Sequence, residues 1–72
     1  MARIEVKSEI TGTVWQLKAK PGDKVEGGDV LIVIESMKMD NNMVSAVNGT
    51  IAEIYVKLGD QVQAGQELAM IR

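Results

Sequence analysis

The residue of this chain best suited to covalent chemistry is Lys38, which stands between Met37 and Met39 near the middle of 72 residues. A lysine amine is carried on a flexible four-carbon stem, and once it loses its proton it can attack an activated carboxylate and form an amide. Methionine is an adaptable side chain that recurs at recognition surfaces. A lysine between two methionines in a tight turn therefore predicts an amine that an enzyme recognises and acylates.

The residues around this lysine also have simpler explanations. Glu35 and Asp40 are typical of solvated acidic residues at strand ends. In strict strand alternation both methionines would share one face and Lys38 the other, so one or both methionines could belong to the core. A tight turn interrupts that alternation, and either methionine could then be exposed.

The composition excludes several other kinds of chemistry. The chain has no cysteine and no histidine, so it lacks thiolate ligands, disulfides, and the commonest general base and metal ligand. We therefore predict no catalytic residues, no metal site, and a protein that is not itself an enzyme. Eight Lys and Arg against ten Asp and Glu give a net charge of −2, and they form no basic stripe for nucleic acid.

The length and hydropathy pattern predict a single domain over residues 1–72. The longest apolar run, Val30 to Ile34, is far shorter than the ~20 residues that a bilayer-spanning helix needs. No basic and apolar signal-peptide pattern opens the sequence. We expect a cytoplasmic module without a membrane partner, and a monomer because the module is small and polar-surfaced.

Short runs rich in Val and Ile, separated by Gly, Asp and Asn, predict an all-β fold. Alternation in the second strand places Trp15 on the inner face with Leu17 and Ala19. Val30–Ile34 is apolar at every position, which predicts burial on both faces or a bulge. Asn48-Gly49 predicts a hairpin turn. The predicted strands lie near residues 3–7, 12–19, 29–35, 39–46, 49–57 and 66–71.

An internal repeat organises the chain into half-repeats of about 1–35 and 38–72. A shift of 37 residues lays 12–35 on 49–72 without a gap, and Trp15 then falls on Ala52, which predicts a large-small exchange. Neither half can bury its apolar face alone, so the two must pack together around a pseudo-twofold axis. That axis carries the turn at 35–40 onto the chain ends, which predicts that the turn and the ends lie at opposite poles. The identical pairs are Gly12/Gly49, Thr13/Thr50, Lys20/Lys57, Gly22/Gly59, Asp23/Asp60, Val25/Val62, Gly28/Gly65, Leu31/Leu68 and Ile34/Ile71.

The segment Glu35-Ser36-Met37-Lys38-Met39 resembles the biotinylation motif of biotin carboxyl carrier domains, usually Glu-Ala-Met-Lys-Met, in the family of biotinyl and lipoyl attachment domains. The Met-Lys-Met centre is quite specific when it lies between two half-repeats. The resemblance covers nearly the whole chain. Further residues at spacings similar to the family's are Met43, Ser45, Gly49-Thr50, Gly59-Asp60, Val62 and Gly65.

The resemblance implies a flattened barrel of two facing antiparallel sheets, the barrel-sandwich hybrid. Only Pro21–Gly28 joins the second and third strands, which is too short for the protruding thumb loop of some family members. The resemblance further implies biotin in amide linkage on Lys38, placed by a biotin protein ligase through biotinyl-adenylate, with Met37 and Met39 assisting recognition. Biotin would carry carboxylate from a biotin carboxylase to a carboxyltransferase, and the domain itself would catalyse nothing.

Two alternatives remain open at the level of the sequence. Ser36 replaces the family's usual Ala, and Glu-Ser before the lysine also resembles lipoyl domains, in which an Asp commonly precedes the modified lysine. Lipoate, placed by a lipoyl ligase, is therefore an alternative or additional modification of Lys38, although Met37 is not acidic as a good lipoyl motif requires. A third possibility is an unmodified adaptor barrel, similar to the hairpin domain of membrane fusion proteins, in which Lys38 has no role.

Overall fold

The Val- and Ile-rich runs form eight β-strands in a computed structural model that describes residues 3–72. The predicted all-β barrel-sandwich fold is confirmed, because the strands make two four-stranded antiparallel sheets. Two strands of only two residues each, β3 and β7, were not predicted. The first two residues of the predicted half-repeat 1–35 lie outside the described residues. The strands are β1 (Ile4–Lys7), β2 (Gly12–Leu17), β3 (Lys24–Val25), β4 (Val30–Ser36), β5 (Met39–Val44), β6 (Gly49–Ile54), β7 (Gln61–Val62) and β8 (Glu67–Ile71).

The two sheets are related by the sequence repeat. One has the strand order β5-β4-β2-β7 and is called here the lysine sheet, because β4 and β5 flank Lys38. The other has the order β1-β8-β6-β3 and is called the opposite sheet. Every strand of one sheet has its repeat partner at the equivalent place in the other. Each sheet also takes strands from both halves, so neither half can complete a sheet without the other.

The repeat extends to the two buried polar side chains. Ser8 Oγ donates to the carbonyl of Ile10 at 2.5 Å, and Ser45 Oγ donates to the carbonyl of Val47 at the same distance. Each hydroxyl also accepts a backbone N–H from the same residue at 3.3 Å. Burial of these serines is tolerated because each hydroxyl group both donates and accepts a local hydrogen bond.

The core fills the space between the sheets, and β4 contributes most to it from the lysine sheet. A register shift opposite β5 makes Leu31 a bulge residue, so both Leu31 and Ile32 enter the core. Val33 is also buried, yet it lies outside the core cluster. The continuous apolar run is therefore explained by a bulge and by one buried position on the outer face. The buried members of the core are Val6, Val14, Ala19, Val25, Leu31, Ile32, Ile34, Met43, Ile51, Val56, Val62, Leu68, Ala69 and Ile71.

Two predictions about local structure are wrong. Trp15 is not on the inner face, because a bulge between Val14 and Gln16 leaves Trp15 as the extra residue, 53% exposed. Trp15 and Ala52 are the equivalent bulge residues of the two halves, so the large and the small side chain occupy matching positions outside the core. Asn48-Gly49 does not close a hairpin, since β5 and β6 belong to different sheets.

The chain ends follow the repeat as the sequence predicts. β1 and β8 pair in the opposite sheet as β5 and β4 pair in the lysine sheet. The repeat therefore carries the turn at Lys38 onto the ends of the chain. Their placement at opposite poles stays a prediction.

Candidate functional site

The turn that carries Lys38 is a two-residue hairpin loop in an unusual backbone conformation. Ser36 pairs with Met39, which leaves only Met37 and Lys38 between the strands. Their φ angles are 52° and 64°, so both residues are left-handed, as a type I′ turn requires. Such turns favour Asn and Gly, and among residues 3–72 these are the only two non-glycine residues with positive φ. The turn is therefore strained at both residues, and it places two long side chains at the tip of the hairpin.

All three side chains at the tip are exposed. Met37 is 92% exposed and Met39 is 67% exposed, and Lys38 is exposed between them. Neither methionine therefore contributes to the core, which decides between the two explanations that the sequence left open. Two apolar side chains held in water beside an amine are typical of a recognition surface.

The hairpin is held in place by the buried part of β4 and by the side-chain amide of Asn41. Ile34 is fully buried, so β4 is anchored in the core up to two residues before the half-buried Ser36. Asn41 Nδ2 donates to the carbonyl of Ile34 and to the carbonyl of Met39, each at 3.3 Å. This role of Asn41 is not predicted from the sequence. The signal was a polar residue two positions before the inward-facing Met43.

The electrostatic surroundings leave the lysine amine without a close partner. Glu35 and Asp40 pair across the hairpin behind the turn, and both are exposed. In the described part of the chain the only ion pair within 4.0 Å joins Lys7 to Glu5, at 3.4 Å. Lys38 therefore has no carboxylate that would have to be displaced before its amine reacts.

The start of β2 approaches the base of the hairpin very closely. A Cβ atom added to Gly12 would meet the backbone oxygen of Glu35 and would lie 2.8 Å from Ile34 Cγ2. Only glycine fits this contact without a shift of β4. The start of β2 is thus packed directly against the last residues of β4, next to the turn that carries Lys38.

The tip is the candidate site because it displays Lys38 between two exposed methionines, and the two depressions described next lie away from it. Two shallow depressions of about 430 and 650 Å³ occupy repeat-related places beside β2 and β6, and neither is lined by Lys38 or its methionines. No group of three potential metal ligands is found within residues 3–72. The same residues also contain no helical segment with the length and hydropathy of a membrane span.

Comparison with known proteins agrees with this geometry. The chain is 44% identical over 41 residues to glutaconyl-CoA decarboxylase subunit gamma of Acidaminococcus fermentans, covering 57% of this chain and 28% of that protein. It is 37% identical over 43 residues to the biotinylated protein TB7.3 homolog of Mycobacterium leprae, covering 60% and 61%. The crystal structure of the Kluyveromyces lactis urea carboxylase matches with a TM-score of 0.94 and 38% identity, covering all of this chain and 6% of that one.

A repeated β-barrel that displays one lysine at a tight turn defines a cofactor-attachment domain. The family of biotin and lipoyl domains described as "Biotin-requiring enzyme" matches residues 4–71, and the chain belongs to this family. The family match and these relatives confirm the prediction of a biotin carrier with covalently attached biotin. They do not favour lipoate. The chain spans less than two thirds of the length of the relatives described above.

Proposed function

We propose that Lys38 is the residue that carries biotin, and that Met37 and Met39 form the apolar part of the surface that a biotin protein ligase recognises. The observation that carries this proposal is the display of Lys38 at a strained two-residue turn between two exposed methionines. Glu35 and Ser36 contribute by setting the end of β4 on which the turn is built. The domain holds and presents the cofactor and performs no catalysis itself.

The residues at the tip fit this modification. In the attachment step the deprotonated Nζ of Lys38 attacks the biotinyl carbonyl, an amide bond forms, and the bond to the adenylate leaving group breaks. The lysine is exposed and has no ion-pair partner among the described residues, so its amine is free to enter the active site of a ligase. When bound, biotin supplies a ureido nitrogen that accepts carboxylate at one enzyme and gives it up at another.

The chain's own contribution to the transfer is geometric. A rigid barrel with the cofactor on a flexible lysine stem gives each partner a high effective concentration of the reactive group, of order mM for short tethers. We infer that the partners are a biotin carboxylase and a carboxyltransferase, since several relatives are subunits of enzymes named as carboxylases or decarboxylases. A cytoplasmic monomer remains our expectation.

The test is modification of the purified chain by a biotin protein ligase, followed by intact mass and peptide mapping. We expect one biotinyl group, on the peptide that contains Lys38. Lys38→Arg should abolish labelling and leave the circular dichroism spectrum unchanged, whereas Lys20→Arg, a matched change in another exposed turn, should leave labelling intact. A Lys38→Arg protein that still binds streptavidin would exclude this site.

The same protein separates biotin from lipoate. A lipoyl ligase should leave Lys38 unmodified, because Met37 stands where lipoyl motifs carry an acidic residue. Met37→Asp should then gain lipoylation. Efficient lipoylation of the unaltered chain would show that the methionines do not select the cofactor.

A further inference from the structure

The single tryptophan of the chain lies on the outer face of the lysine sheet. Val14 pairs with Ile34 and Gln16 pairs with Val33, so Trp15 is the extra residue of a β-bulge opposite Val33. Its side chain is 53% exposed. An indole left half in water exposes a large apolar surface that a ligand could cover.

Trp15 belongs to a row of uncharged side chains that crosses three strands. The register places Gln16, Val33 and Asn42 directly beside one another on β2, β4 and β5. Val33 is only 4% exposed although it lies outside the core, while its neighbours in sequence enter the core. Trp15 is the large side chain opposite it. These four residues, Trp15, Gln16, Val33 and Asn42, are called the Trp15 face.

The repeat provides an internal reference for this surface. On the opposite sheet the equivalent row is Glu53, Met70 and Glu5, and the equivalent bulge residue is Ala52. The same backbone frame there carries two exposed carboxylates and a methyl group. Of these two rows among residues 3–72, the one on the sheet that carries Lys38 combines a tryptophan with uncharged amides, whereas the other carries carboxylates, so the barrel fold alone does not require the Trp15 face.

The Trp15 face lies within reach of a group attached to Lys38. Val33 is three residues before Ser36, and Lys38 lies about one further residue spacing beyond Ser36, which places the row roughly 13 Å along the strands from the lysine backbone. β2 lies about 4.8 Å to the side of β4. The four-carbon lysine stem, continued by the aliphatic chain of biotin, has a similar length when nearly extended, so a biotinyl ring can fold back onto this row.

We propose that the Trp15 face is the resting site for the uncharged ring system of the biotinyl group on Lys38. This inference rests on the proposed function. The indole covers the apolar edge of the ring system, and the amides of Gln16 and Asn42 donate to its ureido carbonyl and accept from its ureido N–H groups. A carboxylate row like that of the opposite sheet could accept those N–H groups but could offer the ureido carbonyl no donor.

The experiment compares quenching of Trp15 fluorescence by acrylamide in the unmodified and the fully biotinylated chain. Intact mass first verifies the modification, so failure of the proposed function is detected before any fluorescence is measured. We expect biotinylation to shift the emission to shorter wavelength and to lower the quenching constant about twofold, because roughly half of the indole is open to solvent before docking. An unchanged quenching constant in a fully biotinylated sample would overturn the resting site.

Two variants test whether the biotinyl group itself shields Trp15 from acrylamide. Lys38→Gln removes the lysine charge without adding the biotinyl group. Acrylamide should quench its Trp15 fluorescence as in the unmodified chain. Shielding of Trp15 in this variant would overturn the proposal. Gln16→Glu with Asn42→Glu copies the carboxylate row of the opposite sheet, where the frame accepts it. We expect this variant to accept biotin and to lose the shielding. Shielding retained in the double variant, or shielding that grows with protein concentration, would equally overturn docking of the arm on its own barrel.

Discussion

Glu35 and Asp40 are paired directly across the hairpin that carries Lys38, so two carboxylates face each other behind the turn. Like charges at directly opposed positions destabilise a strand pair. We expect Asp40→Asn to stabilise the domain by about 0.5 kcal/mol. In a domain of this size that gain raises the midpoint of thermal unfolding by roughly 2–4 °C. Glu9→Gln, which removes an exposed carboxylate outside the strands, should change the midpoint much less.

Lys38 is two residues from Asp40 along the chain, so we expect its charge to offset part of this repulsion even without an ion pair. Acylation removes that charge. The gain from Asp40→Asn should therefore be larger in a Lys38→Gln background than in the unaltered chain, and a two-by-two cycle of thermal unfolding measures the difference. Equal gains in both backgrounds would show that Lys38 does not screen the pair.

The strained turn predicts a conflict between stability and recognition. Met37 has φ 52°, and a left-handed residue other than Gly or Asn costs about 1–2 kcal/mol. Met37→Asn should recover part of that cost and raise the unfolding midpoint by a few degrees. The same variant should be biotinylated more slowly, because it removes an exposed apolar side chain beside Lys38.

Met39 provides the matched control for this variant. It is also exposed, but it lies in β5 and not in the left-handed part of the turn. Met39→Asn should therefore slow labelling without raising the midpoint. If both variants have the same midpoint, the left-handed conformation of Met37 stores no recoverable strain.

The family resemblance of the Met-Lys-Met segment implied the two antiparallel sheets, and the repeat predicted that the two halves pack together. The lysine turn was predicted from the segment itself. The sequence did not predict the position of Trp15, because Trp15 is the extra residue of a bulge and strict alternation does not hold across a bulge. β3 and β7 were missed because two residues are too few to show periodicity. Asn41 was missed because its hydrogen bonds to the turn depend on the register of β4 and β5.

Tyr55 offers a spectroscopic test of the opposite sheet. Its hydroxyl donates to the carboxylate of Glu53 at 2.7 Å, and this hydrogen bond, with partial burial and the nearby charges of Glu53 and Glu67, raises the pKa of Tyr55 to about 12. Since the folded pKa lies above the ordinary value of 10.0, the contribution to stability is complete below pH 10 and is lost as the pH rises through 12.

Titration of the absorbance of this single tyrosine measures the effect. Glu53→Gln should move the midpoint from about 12 towards 10, because the variant loses both the charged acceptor and the charge repulsion. Glu67→Gln should move it much less, since Glu67 acts only through its charge. Equal shifts in the two variants would mean that charge repulsion, and not the hydrogen bond, dominates.

Matched substitutions at Gly12 and Gly49 distinguish the effect of turn position on labelling from the effect of barrel stability. A Cβ atom at Gly12 would meet the backbone oxygen of Glu35, and a Cβ atom at Gly49 would meet that of Arg72. The nearest side-chain atoms are Ile34 Cγ2 at 2.8 Å and Ile71 Cγ2 at 2.6 Å, respectively. Because the two contacts are related by the repeat, each change to alanine should cost a similar 1–3 kcal/mol, as overpacking typically does.

The two variants should differ in labelling. Gly12→Ala displaces the end of β4 and with it the turn, whereas Gly49→Ala displaces the equivalent strand of the opposite sheet. At a temperature where both variants are folded, Gly12→Ala should therefore lower the rate of biotinylation of Lys38 much more than Gly49→Ala does. Thermal unfolding gives the stability loss, and streptavidin capture over time gives the rate. Equal slowing in the two variants would mean that the ligase responds to global stability, and that the close approach of β2 to β4 does not position the lysine.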